Sequence, residues 1–319
     1  MPARNPALGL VLVVLGATLF IQNAGVSRVA LRAGVDPASL TTLRVTGTFL
    51  VLLAVAVTLR RSALRPPPGR LAGLVVVHGV VGVAAMQWTY FVAIDRLPVG
   101  LALLLEFQAP ILVALWARFV QHERVRARIW AGLALAWGGL GVATGVWRGT
   151  GAGLDPVGVL AGLGAAVCVA TYFLVGEHGV SLLDPWRVIL WSFGCATLAL
   201  NVVHPITALD PSSLDDQVGL LGRFAGHSAP LWLVLGWIIV AGTVLPFTVE
   251  LLALRHLPAT TVTMVAMLEP VGVIALGWVW FSETLGPVAL VGCLAVVAGI
   301  VLAQTARRFV PLVEPPHLG

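Results

Sequence analysis

Residues 257–283, LPATTVTMVAMLEPVGVIALGWVWFSE, decide the reading of this chain. The stretch is apolar along most of its length, yet Glu269 and Pro270 stand side by side near its middle. At the rise of an α-helix, Glu269 lies about 17 Å past Pro258. A lipid-facing charge at that depth costs about 2.5–3.5 kcal/mol, and a proline there removes a backbone hydrogen bond. The same frame occurs 160 residues earlier, at 97–123, LPVGLALLLEFQAPILVALWARFVQHE. Leu97, Pro98, Pro110 and Glu123 match Leu257, Pro258, Pro270 and Glu283 without a gap. The carboxylate moves between the copies. Glu106 stands against Ala266, and Ala109 stands against Glu269.

Composition sets the environment. The chain is 59% hydrophobic and 10% charged, against about 25% charged in a soluble domain. This points to an all-α integral membrane protein. The net charge of +5 is carried by arginines clustered in short loops between apolar stretches. That is a topology signal and does not suggest a nucleic-acid partner. Cys168, Cys195 and Cys293 fall in three different apolar stretches, a spacing that fits neither a disulfide framework nor a metal site. Nothing in the sequence calls for a cofactor.

An apolar run of about 20 residues crosses a bilayer as a helix. Ten such spans can be drawn, at 7–30, 38–59, 71–93, 98–118, 128–147, 156–176, 186–204, 230–253, 258–281 and 286–305. The first is too long for the apolar part of a signal peptide and is followed by nine more. With the N-terminus in the cytoplasm, thirteen of the nineteen arginines fall on the inner side. Both termini are therefore expected inside, and the long loop 205–229 outside. Trp147, Trp186, Trp232 and Trp280 sit at span ends, where the interface favours them. The GTGAGLD connection at 149–155 follows no strand, so it reads as a flexible turn and not a nucleotide loop.

Further matches support duplication. Gly132 pairs with Gly292 and Gly139 with Gly299 at the same offset, and Asp36-Pro37 matches Asp184-Pro185. The expected organisation is a five-helix unit at 1–148, a second at 149–306, and a cytoplasmic tail at 307–319. Five is odd, so the second unit enters the membrane from the opposite side. Ten helices as two inverted five-helix repeats is a secondary-transporter architecture, with its site near the midplane where the units meet.

The frame of Ala93 and Leu97-Pro98, then Pro110 and Glu123, repeated at Ala253, Leu257-Pro258, Pro270 and Glu283, resembles the EamA-type branch of the drug/metabolite transporter superfamily. The segment Ala102-Leu103-Leu104-Leu105-Glu106-Phe107 is similar to the fourth-helix segment of the threonine/homoserine exporter group. So are Leu245-Pro246-Phe247 with Glu250, and Met267-Leu268-Glu269-Pro270, to later segments of that group. The resemblance implies export of amino acids or similar small metabolites across the plasma membrane. Leu19-Phe20-Ile21 departs from it, standing where a tryptophan-containing stretch is common.

Glu106 and Glu269 are the first candidates for the site, binding a substrate ammonium or carrying a coupling proton. The bland alternative is a hydrogen-bonded carboxyl that fixes helix register. Pro110 and Pro270 are candidate hinges, each freeing the carbonyl four residues back. Glu250 is a candidate, with pairing to Arg255 as its alternative. Arg44, well inside the second span, can meet a substrate carboxylate, pair with a buried glutamate, or snorkel to the outer face. Gln22, Asn23, Gln87, Tyr90, Tyr172 and Thr261 offer uncharged polar groups, with Trp88 and Met264 as apolar walls. His78 reads as a packing histidine. Glu123 and Glu283 read as caps or loop partners. Gly141-xxx-Gly145 and Gly158-xxx-Gly162 read as packing within the bundle.

The expected function is a secondary exporter of amino acids or amino-acid-like metabolites working by alternating access in the lipid bilayer, driven by a proton or solute gradient, with proton coupling the first expectation. Other cargo on the same fold, such as drugs, is the alternative, and a scaffold or sensor is the reading from another class. An intramembrane enzyme lacks both a metal-binding cluster and a facing serine–histidine or serine–lysine pair. The oligomeric state is not written in the sequence.

Overall fold

The described part of each predicted span is helical, two of the spans being broken, and the two units are related as the sequence repeat requires. The computed structural model describes residues 5–97, 99–122, 125–145, 155–282 and 286–305. Seven spans are long and apolar enough to cross a membrane: Pro6–Arg32, Pro37–Thr58, Arg70–Ala93, Pro156–Leu182, Pro185–Val203, Leu231–Ala253 and Ala259–Phe281. The fifth and tenth are helices Ala127–Thr144 and Pro287–Thr305, whose apolar stretches, Ala127–Ala143 and Pro287–Ala303, are shorter. The fourth is split into Val99–Glu106 and Ala109–Phe119. Pro98, Glu123, Glu283, Trp147, the connection up to residue 154 and the tail lie outside the described residues.

Four spans open on the same device. Asn5, Asp36, Asp155 and Asp184 each precede a proline in the first turn and accept hydrogen bonds from the backbone N–H groups that follow. Proline loses nothing at that position, because its missing N–H has no helical partner there anyway.

Small residues set the close approaches, and these demonstrate the inversion. A Cβ on Gly132 would lie 2.6 Å from the Gly299 carbonyl oxygen, and one on Gly299 would lie 2.5 Å from that of Gly132. Gly139 and Gly292 approach each other in the same reciprocal way, at 2.8 and 2.7 Å. The fifth and tenth spans therefore run antiparallel with their backbones in contact. They are equivalent helices of the two repeats, so one repeat is inverted relative to the other. The remaining packing follows the same exchange. The third span packs on the sixth and the eighth on the first, while the second packs on the seventh. Gly158 seats against Leu97 and Gly9 against Leu257. Gly162 seats against Leu105, so this glycine pair packs inside the bundle.

The third and eighth spans each contain a π-helical turn, at His78–Ala85 and Val240–Val244. These turns occupy matching places in the repeat. Gly82 in the first lies against the Tyr172 backbone, and Gly242 in the second lies against the Asn23 side chain. The long loop is not featureless. Gln217–Gly219 and Ser228–Pro230 pair antiparallel, and Trp280 Nε1 donates to the Leu220 carbonyl at 3.0 Å. Trp280 is thus packed beneath the loop, stacked on Phe281 and edge-on to Phe224, in addition to sitting at a span end.

Candidate functional site

The two prolines do more than kink their helices. The fourth span stops at Glu106 and restarts at Ala109. The ninth stops at Ala266 and restarts at Leu268, with Met267 between. Pro110 and Pro270 lie in the first turn of the second half-helices, the one place where the ring fits without strain. Each span therefore presents a half-helix C-terminus and a half-helix N-terminus inside the bundle. Glu106 is the last residue of its half-helix. Glu269 lies in the first turn of its own, where the helix dipole favours a carboxylate.

Glu250 joins them from the eighth span. It is only 3% exposed, and its Cγ would be 3.0 Å from a Cβ on Gly16. Glu269 lies within electrostatic reach of both Glu250 and Glu106. Glu106 reaches Tyr90, and Glu250 reaches Tyr172. The structure thus brings three carboxylates and two phenols from five helices into one electrostatic neighbourhood. No ion pair to any of the carboxylates forms among the described residues. The expected alternative for Glu250, a pair with Arg255, is not made: Glu250 points into the bundle instead. Among the described residues no group of three acidic, histidine or cysteine side chains is close enough to hold a metal ion.

Several buried polar atoms lack partners among the described residues. Thr48 Oγ1, His78 Nε2, Gln87 Nε2, Tyr172 OH and Thr261 Oγ1 are fully enclosed and make no hydrogen bond. Gln87, Tyr172 and Thr261 are sequence candidates. Native proteins satisfy nearly all buried polar atoms, so each orphan asks for a ligand or water.

His78, expected to be packing alone, has an additional feature. Its Nδ1 shares a hydrogen bond of 2.8 Å with Ser192 Oγ, and its ring stacks on Tyr172 with centroids 4.8 Å apart. The Tyr172 carbonyl is nearby, but Nε2 makes no hydrogen bond of normal geometry. Tyr172 continues into an aromatic cluster: Phe247 meets Tyr172, Phe193 and Phe20 edge-on at 5.5, 5.4 and 5.1 Å.

Other candidates fall elsewhere. Gln22 is exposed and lines a cavity of about 560 Å³ under the long loop, with Phe224, Trp237, Leu276 and Trp280. Asn23, one residue on, is buried against Gly242 of the eighth span, so these two do not share a site. Met264 is 2% exposed and fills an apolar cluster with Leu133, Leu140 and Val296. It is packing and not a cavity wall. Trp88 is half-buried against the main core. Arg44 does not snorkel: its Nε donates to Thr243 Oγ1 at 3.3 Å, which turns it toward the eighth span.

Sequence reasoning missed Ser192, Phe247 and Thr243. One signal for Ser192 was present. It stands eight residues after Asp184, as Arg44 stands eight after Asp36, so the two occupy equivalent places in the repeats.

The model of the EamA-like transporter family matches residues 7–145 and again residues 156–305. The chain belongs to that family. As an EamA-like protein of the drug/metabolite transporter superfamily, it is a multi-pass membrane transporter of small molecules, and the family is not one of enzymes. It is 28% identical over 220 residues to the threonine/homoserine exporter RhtA of Escherichia coli (strain K12), covering 68% of this chain and 66% of that protein. The match thus spans just under two thirds of that exporter's length. RhtA of Salmonella typhimurium (strain LT2) is 26% identical over 242 residues, 73% of this chain and 72% of the other. An uncharacterized transporter of Archaeoglobus fulgidus is 26% identical over 287 residues, 90% of each chain. A solved crystal structure superposes with a TM-score of 0.73 at 22% identity, over 94% of this chain and 96% of that one, a likeness of fold alone.

Proposed function

We propose that this EamA-like transporter exports amino acids or amino-acid-like metabolites across the plasma membrane by alternating access, exchanging the substrate ammonium for a proton at Glu106, Glu250 and Glu269. The observation that carries this reading is the meeting of three carboxylates inside the bundle, Glu250 buried and Glu106 and Glu269 half-buried, with no ion pair to any of them among the described residues. Like charges in a low-dielectric interior cannot all stay ionised. Protons or a bound cation must balance them. A primary ammonium suits that role, with charge and three donors at one atom. Protonation then releases it on the other side. The names of the exporters in Escherichia coli and Salmonella typhimurium support the same class of cargo. Both termini lie in the cytoplasm in this reading, as the arginine distribution requires.

The apolar cavity beside Trp237 and Trp280 favours a second reading, in which the cargo is a lipophilic compound. Reconstituted protein distinguishes the two. In proteoliposomes, a labelled amino acid moves in response to a pH gradient, and Glu269→Gln and Glu106→Gln reduce the flux while insertion is unchanged. Undiminished flux in both variants refutes the carboxylate mechanism. Movement of lipophilic cations without amino acids supports the second reading.

A further inference from the structure

We propose that Arg44 recognises the carboxylate of the substrate, so that the cargo is a zwitterion and not a simple amine; this rests on the carboxylate site above. An arginine inside a membrane span is costly and normally meets an anion. The guanidinium has five donors and no acceptor. Among the described residues Arg44 makes a single hydrogen bond, from Nε to Thr243 Oγ1 at 3.3 Å. It makes no ion pair among the described residues. Thr243 is a neutral anchor. It is fully buried, and its hydroxyl donates to the Ile238 carbonyl at 2.8 Å. Its remaining lone pairs face the arginine. That holds the stem in place and leaves the guanidinium nitrogens Nη1 and Nη2 without a partner among the described residues.

The position of the anchor relates this cation to the carboxylates. Thr243 and Glu250 are seven residues apart on the eighth span, with Phe247 between them. Thr243 lies near the end of the π-helical turn and Glu250 in the α-helix that continues from it, and seven residues rise about 10 Å. Arg44 is therefore anchored about two turns from Glu250 along the eighth span, and both side chains are long enough to shorten that gap. A free cation at one end and unpaired carboxylates at the other complement a molecule with an anionic and a cationic end. The planar guanidinium binds a carboxylate through two parallel hydrogen bonds, which lysine cannot reproduce. The repeat sharpens the assignment. The equivalent place in the second unit holds Ser192, bonded to His78, so the charge is not part of the duplicated scaffold.

The test uses full-length protein in lipid nanodiscs. Thermal stabilisation is scanned over the standard amino acids, and the strongest ligand is compared with its carboxamide, which keeps the ammonium and lacks the carboxylate. The expected result is at least tenfold weaker binding of the carboxamide. Arg44→Gln weakens the amino acid by a similar factor and leaves the carboxamide unchanged, and Arg44→Lys falls between. Equal binding of acid and carboxamide by the wild-type protein overturns the proposal without any variant. So does a parallel loss of both ligands in Arg44→Gln. Both of those results leave the carboxylate site standing, because the carboxamide still binds the wild-type protein. A protein that binds neither ligand overturns both readings.

Discussion

Gly138 and Gly139 are neighbours on one helix, and alanine at the two positions is expected to act in opposite directions. A Cβ on Gly138 meets nothing within 4 Å, whereas one on Gly139 would sit 2.7 Å from the Val296 nitrogen and 2.8 Å from the Gly292 carbonyl oxygen. Both substitutions gain the same helix propensity, about 0.8–1 kcal/mol. Only the second must push a pair of backbones apart. Ordinary van der Waals contact begins near 3.4 Å, so the fifth and tenth spans must separate by several tenths of an ångström. A gap of 0.5–1 Å forfeits a quarter to a half of each dispersion contact, and overpacking a tight interface costs about 1–3 kcal/mol. Gly138→Ala should therefore be stabilising by up to about 1 kcal/mol. Gly139→Ala should be less stable than Gly138→Ala by about 1–3 kcal/mol, a difference that isolates the steric cost. Reversible unfolding by denaturing detergent in mixed micelles, followed by tryptophan fluorescence, measures both. Equal stability of the two variants refutes the close backbone crossing and the register assigned to the inversion.

Three further outcomes are expected. Tyr172→Phe removes a buried hydroxyl without a partner, so the empty protein should unfold no more easily and gain up to about 1–3 kcal/mol; a clear loss in the same unfolding assay would show that the hydroxyl is already satisfied. Phe247→Ala empties the centre of the aromatic cluster and should cost about 3–5 kcal/mol, read as a fall in unfolding midpoint. At Asp36, partial burial raises the carboxyl pKa, but hydrogen bonds from Ser39 and Ala38 and the nearby His204 outweigh it and hold it below its ordinary value of 3.8. A depressed carboxyl stabilises the fold above its unfolded pKa and loses that contribution as pH falls. Asp36→Asn should therefore flatten the acid loss of stability below about pH 4, measured by thermal unfolding across pH 2–6, and an unchanged slope counts against it.

Much of the architecture was legible because it rests on residues with few alternatives. Paired prolines, Asp-Pro caps and matched glycines are rare enough in apolar sequence to carry register. The site was only partly legible. Glu106, Glu250 and Glu269 announce themselves, because a carboxylate in an apolar span needs a reason. Gln22 and Asn23 could not be separated by composition, since adjacent helical residues point about 100° apart and only the packed structure says which faces inward. Met264 looked like a wall residue, but apolar side chains carry no mark that distinguishes a cavity from a core. The sequence marks Pro110 and Pro270 as hinges but not as full helix breaks, because proline says that a hydrogen bond is lost and not how the chain reorganises around the loss. The π-turns left no visible pattern, as one inserted residue in an all-apolar stretch changes no polar periodicity. Aligned Gly82 and Gly242 were their only trace.

The reciprocal glycine crossing makes this chain, in effect, a two-fold dimer whose subunits have been fused. In a true homodimer every patch faces its own copy, and every charge arrives twice. Fusion releases that constraint. Glu106 is answered by Ala266, Glu269 by Ala109, and Arg44 by Ser192, so the scaffold keeps its symmetry while the charges do not. An α-amino acid has two unlike ends and no two-fold axis of its own. A site on the axis of identical subunits presents the same groups to both ends. The fused chain can offer carboxylates to one end and a guanidinium to the other, on a frame that still consists of two matched halves.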